Sequence, residues 1–481
     1  MDSSRHYNLV YKNSLVLTFL RFVEPALAMV VIVAVSRLLG TEALGGYSFI
    51  ITFISMFGVI GQLGLQALLT REVAANKEKS SSYVSAALFL GLGSSILLAF
   101  IINGAKGYFN LSAVVSYGVF LMSLNLFPMF VIATFEAVFM GWQRTKLILY
   151  QNLAGNIVRV ILSLVFIGLG FGLASLVVAI LISSVLSVLL CAFTYVKCLG
   201  RLSWRVDPGV SLRLLKTSPT FLLITLVAVL SARLDVLILT KLTNMTQVAL
   251  YAAAYKLFEA TMIVPQSYMR ASFPHLSALF RSRPDSFGQT NRDMLGHMLL
   301  YAFPTAALTF ALAPFVISVL YGAKFSSSAT LLQILAIGLL PWTMGRTTAN
   351  LLLATNLQRY DLMCGTLTVI TSVALNVLMI PLYGAKGAAF SSAAAWSVFF
   401  LCEFYFSRRA GYRVALIEAI GRPLAAGVAV FLIARITMLG WIYASLEWGL
   451  LAAGAAFYLK SGRNRRKLAR PFVLFQDILR A

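Results

Sequence analysis

The chain has 481 residues, of which 60% are hydrophobic and 11% charged, with a formal net charge of +23. Its mean hydropathy is +0.87 and its pI about 10.1. A soluble protein of this length carries roughly 25% charged residues, so a soluble all-α protein is excluded in favour of a polytopic membrane protein.

Taken in order, apolar stretches long enough to cross a bilayer as helices predict about fourteen spans. Their cores are 13–38, 43–69, 83–103, 112–138, 147–168, 173–196, 217–241, 247–275, 295–321, 327–353, 361–383, 387–406, 418–438 and 440–459. The first apolar segment runs past signal-peptide length, so no cleavable signal is expected. The glycines Gly58, Gly61 and Gly64 read as close helix packing.

The basic residues explain the high pI without nucleic acid. They crowd the loops of one side: Arg71, Lys77 and Lys79, then Arg144 and Lys146, then the cluster from Lys197 to Lys216, then Arg408 and Arg409. The other side holds only Arg37, Lys106, Lys241, Lys324 and Lys386. By the positive-inside rule both termini are cytoplasmic. No nucleic-acid-binding signature accompanies the charge.

The chain also repeats. Arg37–Tyr47 reads RLLGTEALGGY and Lys241–Tyr251 reads KLTNMTQVALY, each joining two spans. Gln143-Arg144 precedes Gly172-Leu173-Ala174 at the spacing by which Gln358-Arg359 precedes Gly387-Ala388-Ala389. The expected domains are therefore a six-helix bundle over 1–196, a cytoplasmic linker over 197–216 and a second bundle over 217–406. Two further spans over 418–459 and a basic tail over 460–481 follow. That tail either lies among anionic headgroups or is merely solvated.

Seven basic residues fall inside spans: Arg21, Arg159, Arg233, Lys256, Arg270, Arg346 and Arg435. The acids there are Glu24, Asp235, Glu259 and, nearer the cytoplasm, Glu136. Each would cost roughly 3 kcal/mol in lipid, so each must face a wet cavity or a partner. Arg21 with Glu24, and Lys256 with Glu259, share helix faces and are either internal ion pairs or cavity groups. Pro25 removes a helical hydrogen bond, which predicts a bend or unwinding of the first span. Arg159 and Arg346 have no acid within a turn and are expected to line the cavity, with Asn152 and Asn156 adding polarity near Arg159. Arg270 and Arg435, near span ends, are expected to snorkel. Arg233 and Asp235, two apart, cannot both point one way. Arg233 is expected in the cationic lining with Asp235 as its orienting or titrating neighbour. The excess of cations suits an anionic substrate such as a pyrophosphate.

Catalysis and cofactors are not expected. The chain has no phosphate-binding GxxxxGK[ST] loop and no loop long enough for a catalytic domain. Its four cysteines, Cys191, Cys198, Cys364 and Cys402, and its three histidines lack ligand spacing for a metal.

Six segments, in this order, resemble the Wzx-type polysaccharide or oligosaccharide (O-antigen) flippases of the multidrug/oligosaccharidyl-lipid/polysaccharide exporter superfamily. They are RLLGTEALGGYSFIITF (37–53), LGLQALLTREVA (63–74), PTFLLITLVAVLSARLDVLILTKL (219–242), LYAAAYKLFEA (250–260), LYGAKF (320–325) and ALNVLMIPLYGAKGAAFSS (374–392). The resemblance implies two pseudo-symmetric six-helix bundles in a V around a central cavity, working by alternating access in a bacterial cytoplasmic (inner) membrane. It implies a lipid-linked substrate, undecaprenyl pyrophosphate bearing an oligosaccharide, for O-antigen, capsule or exopolysaccharide. Polysaccharide polymerase and glycosyltransferases would be its protein partners. Arg21, Arg159, Arg233, Lys256 and Arg346 would be the substrate contacts, and Glu24, Asp235 and Glu259 the coupling or ion-pair acids. A lipid II flippase, or a multidrug/cation antiporter with a more acidic cavity, remains an alternative. A membrane glycosyltransferase or polymerase would need a long outer loop that this chain lacks.

Overall fold

A computed structural model describes residues 2–200, 206–282, 284–412 and 416–437, and the described residues are helical throughout, without strands. Fifteen α-helices, α1 to α15, follow the expected spans. Ten stretches among the described residues are long and apolar enough to cross a membrane. The span expected at 440–459 and the tail lie outside the described residues.

The first half runs from α1 (Asp2–Leu38) through α2 (Gly40–Gly61), α3 (Leu65–Ala75), α4 (Ser80–Ala105), α5 (Ala113–Ser123), α6 (Leu126–Gly141) and α7 (Thr145–Gly168) to α8 (Leu173–Leu199). Two expected spans are each broken in two. Between α2 and α3 the chain takes left-handed values at Leu63 (φ 53°) and Gly64 (φ 67°). A single Gly carries this conformation cheaply, so Gly64 is a helix break and not the packing glycine expected. Between α5 and α6 the break at Leu124-Asn125 precedes Pro128, whose ring crowds the carbonyl four residues back. By contrast α1 runs unbroken through Pro25. It does not unwind there.

The second half runs from α9 (Pro208–Leu242) through α10 (Met245–Ser282), α11 (Pro284–Tyr321), α12 (Ser327–Ala354) and α13 (Gln358–Tyr383) to α14 (Ala385–Arg409), followed by α15 (Leu416–Thr437). Asp207 caps α9: its Oδ1 accepts from Gly209 N at 2.8 Å, and Pro208 fills the first helical position where no N–H is needed. The start of α9 docks on the first half, with Leu214 buried and Arg213 3.4 Å from Glu72.

Helix neighbours match between halves. α1 packs on α7 as α9 packs on α13, and α7 on α8 as α13 on α14. α4 meets α6 as α11 meets α12, and α6 meets α8 as α12 meets α14. One end of the helices carries Arg71, Arg144 and Arg408 and is called the basic end. The sparse end carries Arg37 and Lys241. At the sparse end one hydrophobic core joins the halves, with Val35, Leu44 and Phe53 packed in the same cluster as Leu239, Val248 and Phe325. Toward the basic end the cores separate: one holds Leu69, Val84 and Phe139, another Leu276, Phe287 and Leu351. Burial of such aliphatic and aromatic side chains on both faces of α2 and α10 fixes the sparse end as the closed one.

Candidate functional site: charged groups between the two halves

Closure at the sparse end is tight. A Cβ added at Gly45 of α2 would sit 1.9 Å from the Met245 carbonyl oxygen of α10, so only glycine allows this approach. Two basic side chains reach across it. Arg37, at the end of α1, donates from Nε to Leu320 O at 2.8 Å and from Nη2 to Val319 O, in the last turn of α11. Lys241, at the end of α9, donates to Tyr108 O in the 3₁₀ turn that ends α4, and its ammonium lies 3.7 Å from the Tyr108 ring centroid. Each cation caps the carbonyl end of a helix in the other half, where the helix dipole is negative. Arg37 and Lys241 are equivalent in the repeat. So are the capped ends, since Gly104-Ala105-Lys106 and Gly322-Ala323-Lys324 each lead into a 3₁₀ turn.

Below this closure lie the ionisable groups. Arg159 on α7 faces Glu24 on α1 and Tyr47 on α2. Its Nε is buried and has no hydrogen-bond partner among the described residues. Near them Glu136 on α6 accepts from Gln151 Nε2 at 3.1 Å, from Asn152 Nδ2 at 3.0 Å and from Gln66 Nε2 at 3.5 Å. Asn156 turns its amide to Asn152 O at 2.8 Å. The side chain of Arg21 lies outside the described ones.

In the second half, Glu259 on α10 bridges two cations. Arg233 Nη2 is 2.8 Å from Oε1 and Lys256 Nζ 2.9 Å from Oε2. All three side chains stay partly exposed, at 36%, 23% and 26% for Arg233, Lys256 and Glu259. Groups this polar, about 14 Å (Arg233) to 21 Å (Glu259) from the sparse ends of their helices, are tolerated only beside water or a partner. Asp235 is not the neighbour that orients Arg233, as the sequence suggested; Glu259 is. Two positions apart on a helix point about 200° apart, so Asp235 turns into the protein. There it is buried, accepts from the Tyr251 hydroxyl, and that hydroxyl lies 3.1 Å from Ser392 Oγ. Tyr47 and Tyr251 are repeat equivalents, and one faces the Arg159 guanidinium while the other binds a buried acid.

Arg346 on α12 is exposed and stands over the Phe399 ring, 5.2 Å from its centroid. Its acidic neighbours are Asp361 and Glu403. Sequence reasoning missed both. Glu403 sits inside an expected span, in the run FFLCEFYF, and the signal was its charge among seven apolar or aromatic positions. Arg159, Glu24 and Glu136 are thus brought together in one half, and Arg233, Lys256 and Glu259 in the other, with Arg346 apart nearer the basic end.

Paired helices with ionisable groups at mid-membrane and a closure at one end define a polytopic membrane protein with the fold of the superfamily that includes MATE transporters. The structure is similar to one titled "Lipid II flippase MurJ, inward closed conformation", at TM-score 0.75 and 14% identity, covering 92% of this chain and 99% of that one. It is also similar to the inward-facing conformation of a multidrug resistance MATE family transporter of the MOP superfamily, at TM-score 0.70 and 16% identity over 84% and 99% of the two chains. No curated protein matches the sequence. A family model described as polysaccharide biosynthesis protein matches residues 10–280. The chain belongs to that family.

Proposed function

We propose that this protein is a flippase that carries a polyprenyl-pyrophosphate-linked oligosaccharide across the bacterial cytoplasmic membrane by alternating access. The supporting observation is Arg159: a guanidinium at membrane depth with a buried Nε–H that nothing among the described residues accepts. A buried donor left unpaired costs about 1–3 kcal/mol, which an anionic ligand would recover through charge-assisted hydrogen bonds. The partly exposed Arg233 and Lys256 and the exposed Arg346 add positive charge on the other half. Arg21 remains a proposed contact on sequence grounds. With Glu259 committed to two cations, Glu24 and Asp235 are the remaining proposed coupling acids.

The basic end is assigned to the cytoplasm by the positive-inside rule. The state seen is then closed toward the outside. The bodies that rock are taken to be residues 1–196 and 217–406, a division supported by their matched helix neighbours. The fold is shared with a lipid II flippase and with multidrug transporters, but membership of the polysaccharide biosynthesis family favours a glycan substrate.

Deletion of the gene is expected to leave lipid-linked repeat units in the inner leaflet. The wild type restores surface glycan, while Arg159→Ala and Arg346→Ala do not. Normal surface glycan in the deletion strain, with lost resistance to organic cations, would overturn the reading.

A further inference from the structure

We propose that Glu403 and Asp361 form a proton-binding carboxyl pair linked to Arg346, so that an anion bound at Arg346 brings a proton onto the pair. The inference rests on the reading of Arg346 as an anion contact and adds a ligand, the proton, at a place apart from the mid-membrane acids.

Glu403 is 0% exposed, and among the described residues no N–H or hydroxyl donates to either of its carboxyl oxygens, only the weakly donating Cys364 thiol lying against it. Ser407, one turn on along the same face of α14, is also wholly buried with an unpartnered Oγ. A bare carboxylate in such a place is among the most expensive groups a protein can hold. The group against Glu403 is the Asp361 carboxyl on α13, within hydrogen-bonding reach. Two adjoining carboxyls cannot both ionise, and a single proton between them supplies the strong donor that the Cys364 thiol is not.

The surroundings complete the argument. The other titratable groups facing Glu403 are Cys364 on α13, Cys402 on its own helix and Arg346 on α12. The two sulfurs are 2.7 Å apart. The helices α9 and α10 meet α14 farther toward the sparse end: Phe258 stacks on Trp396, and Tyr251 reaches Ser392. Those contacts lie about 10 and 17 Å along the helix from Glu403. Burial falls outward along the set, from Glu403 buried, through Asp361 half-buried, to Arg346 exposed. A proton therefore has a route to water that passes the guanidinium.

At rest the pair holds one proton and one negative charge, and Arg346 balances that charge. An anion that engages Arg346 removes the balance, and a second proton neutralises the pair. Linkage makes the effect reciprocal, so anion affinity rises as pH falls, by up to about tenfold per pH unit.

The test uses the purified full chain and geranylgeranyl pyrophosphate as the probe. Binding to the wild type is expected to take up a proton from weakly buffered solution beyond what the probe itself binds. Asp361→Asn and Glu403→Gln are expected to bind with that extra uptake lost and the pH slope flattened. Infrared spectra without ligand are expected to show a protonated-carboxyl stretch that E403Q removes and D361N retains. Binding without extra uptake in the wild type, or an unchanged slope in both variants, overturns the linkage alone. No binding at all overturns it together with the anion reading of Arg346. The carboxyl pair itself falls if E403Q removes no protonated-carboxyl band.

Discussion

Glu259 serves two cations with its two oxygens, and this decides what its loss does. Removing it leaves Arg233 and Lys256 close together with no acid between them. Glu259→Ala is expected to lower the thermal midpoint in detergent. The double variant Arg233→Ala/Glu259→Ala should recover about 1 kcal/mol relative to the sum of the single changes, because a partly exposed pair is worth no more than that. A strictly additive cycle, read by thermal unfolding, would show that the pair does not couple. Arg159 differs, since its Nε has no partner among the described residues to lose. Arg159→Ala is expected to abolish flipping while leaving the midpoint within about 1 kcal/mol of wild type, a separation of activity from stability. These residues were named from sequence because charge inside an apolar run is conspicuous. The Lys256–Glu259 pair was legible from its three-residue spacing, but pairing between helices was not: Glu24 and Arg159 come from helices more than a hundred residues apart, and no local spacing rule joins them.

At the level of helices, the closure of α2 against α10 depends on one missing side chain. Gly45→Val puts carbon where the Met245 carbonyl stands and is expected to force the sparse end apart. Spin-label distances between α2 and α10 near that end should lengthen and broaden; unchanged distances would mean that the backbones yield elsewhere. The helix breaks show what an apolar count does not see. Span cores 43–69 and 112–138 stay predominantly apolar across their breaks, so hydropathy joined each into a single element. The left-handed pair Leu63-Gly64 and the clash of Pro128 are backbone effects, and they act without changing hydrophobicity. Pro25 is the opposite case, a helix breaker through which α1 continues.

For the whole molecule, charge placement predicts sidedness. In a cysteine-free background, Lys79→Cys is expected to react with an impermeant thiol reagent only from the cytoplasm, and Lys106→Cys only from outside. Labelling of both from one side would invert or refute the topology. The repeat made the global plan readable in one dimension, because two copies of a hairpin and two copies of a loop signature recur at fixed spacing. The state of the molecule was not readable, since closure at the sparse end is a relation between halves that either copy alone lacks.

The reciprocal caps at that closure land on main-chain oxygens: those of Val319, Leu320 and Tyr108. A carbonyl is the same in every amino acid. Positions 319 and 320 are therefore free to drift in sequence while the clasp persists, whereas Arg37, Lys241 and the Tyr108 ring beneath the Lys241 ammonium are held to their chemistry. Aligned relatives are expected to keep a base at positions 37 and 241 with no correlated exchange at 319 or 320. A survey of co-varying pairs would therefore pass over this join between the two halves.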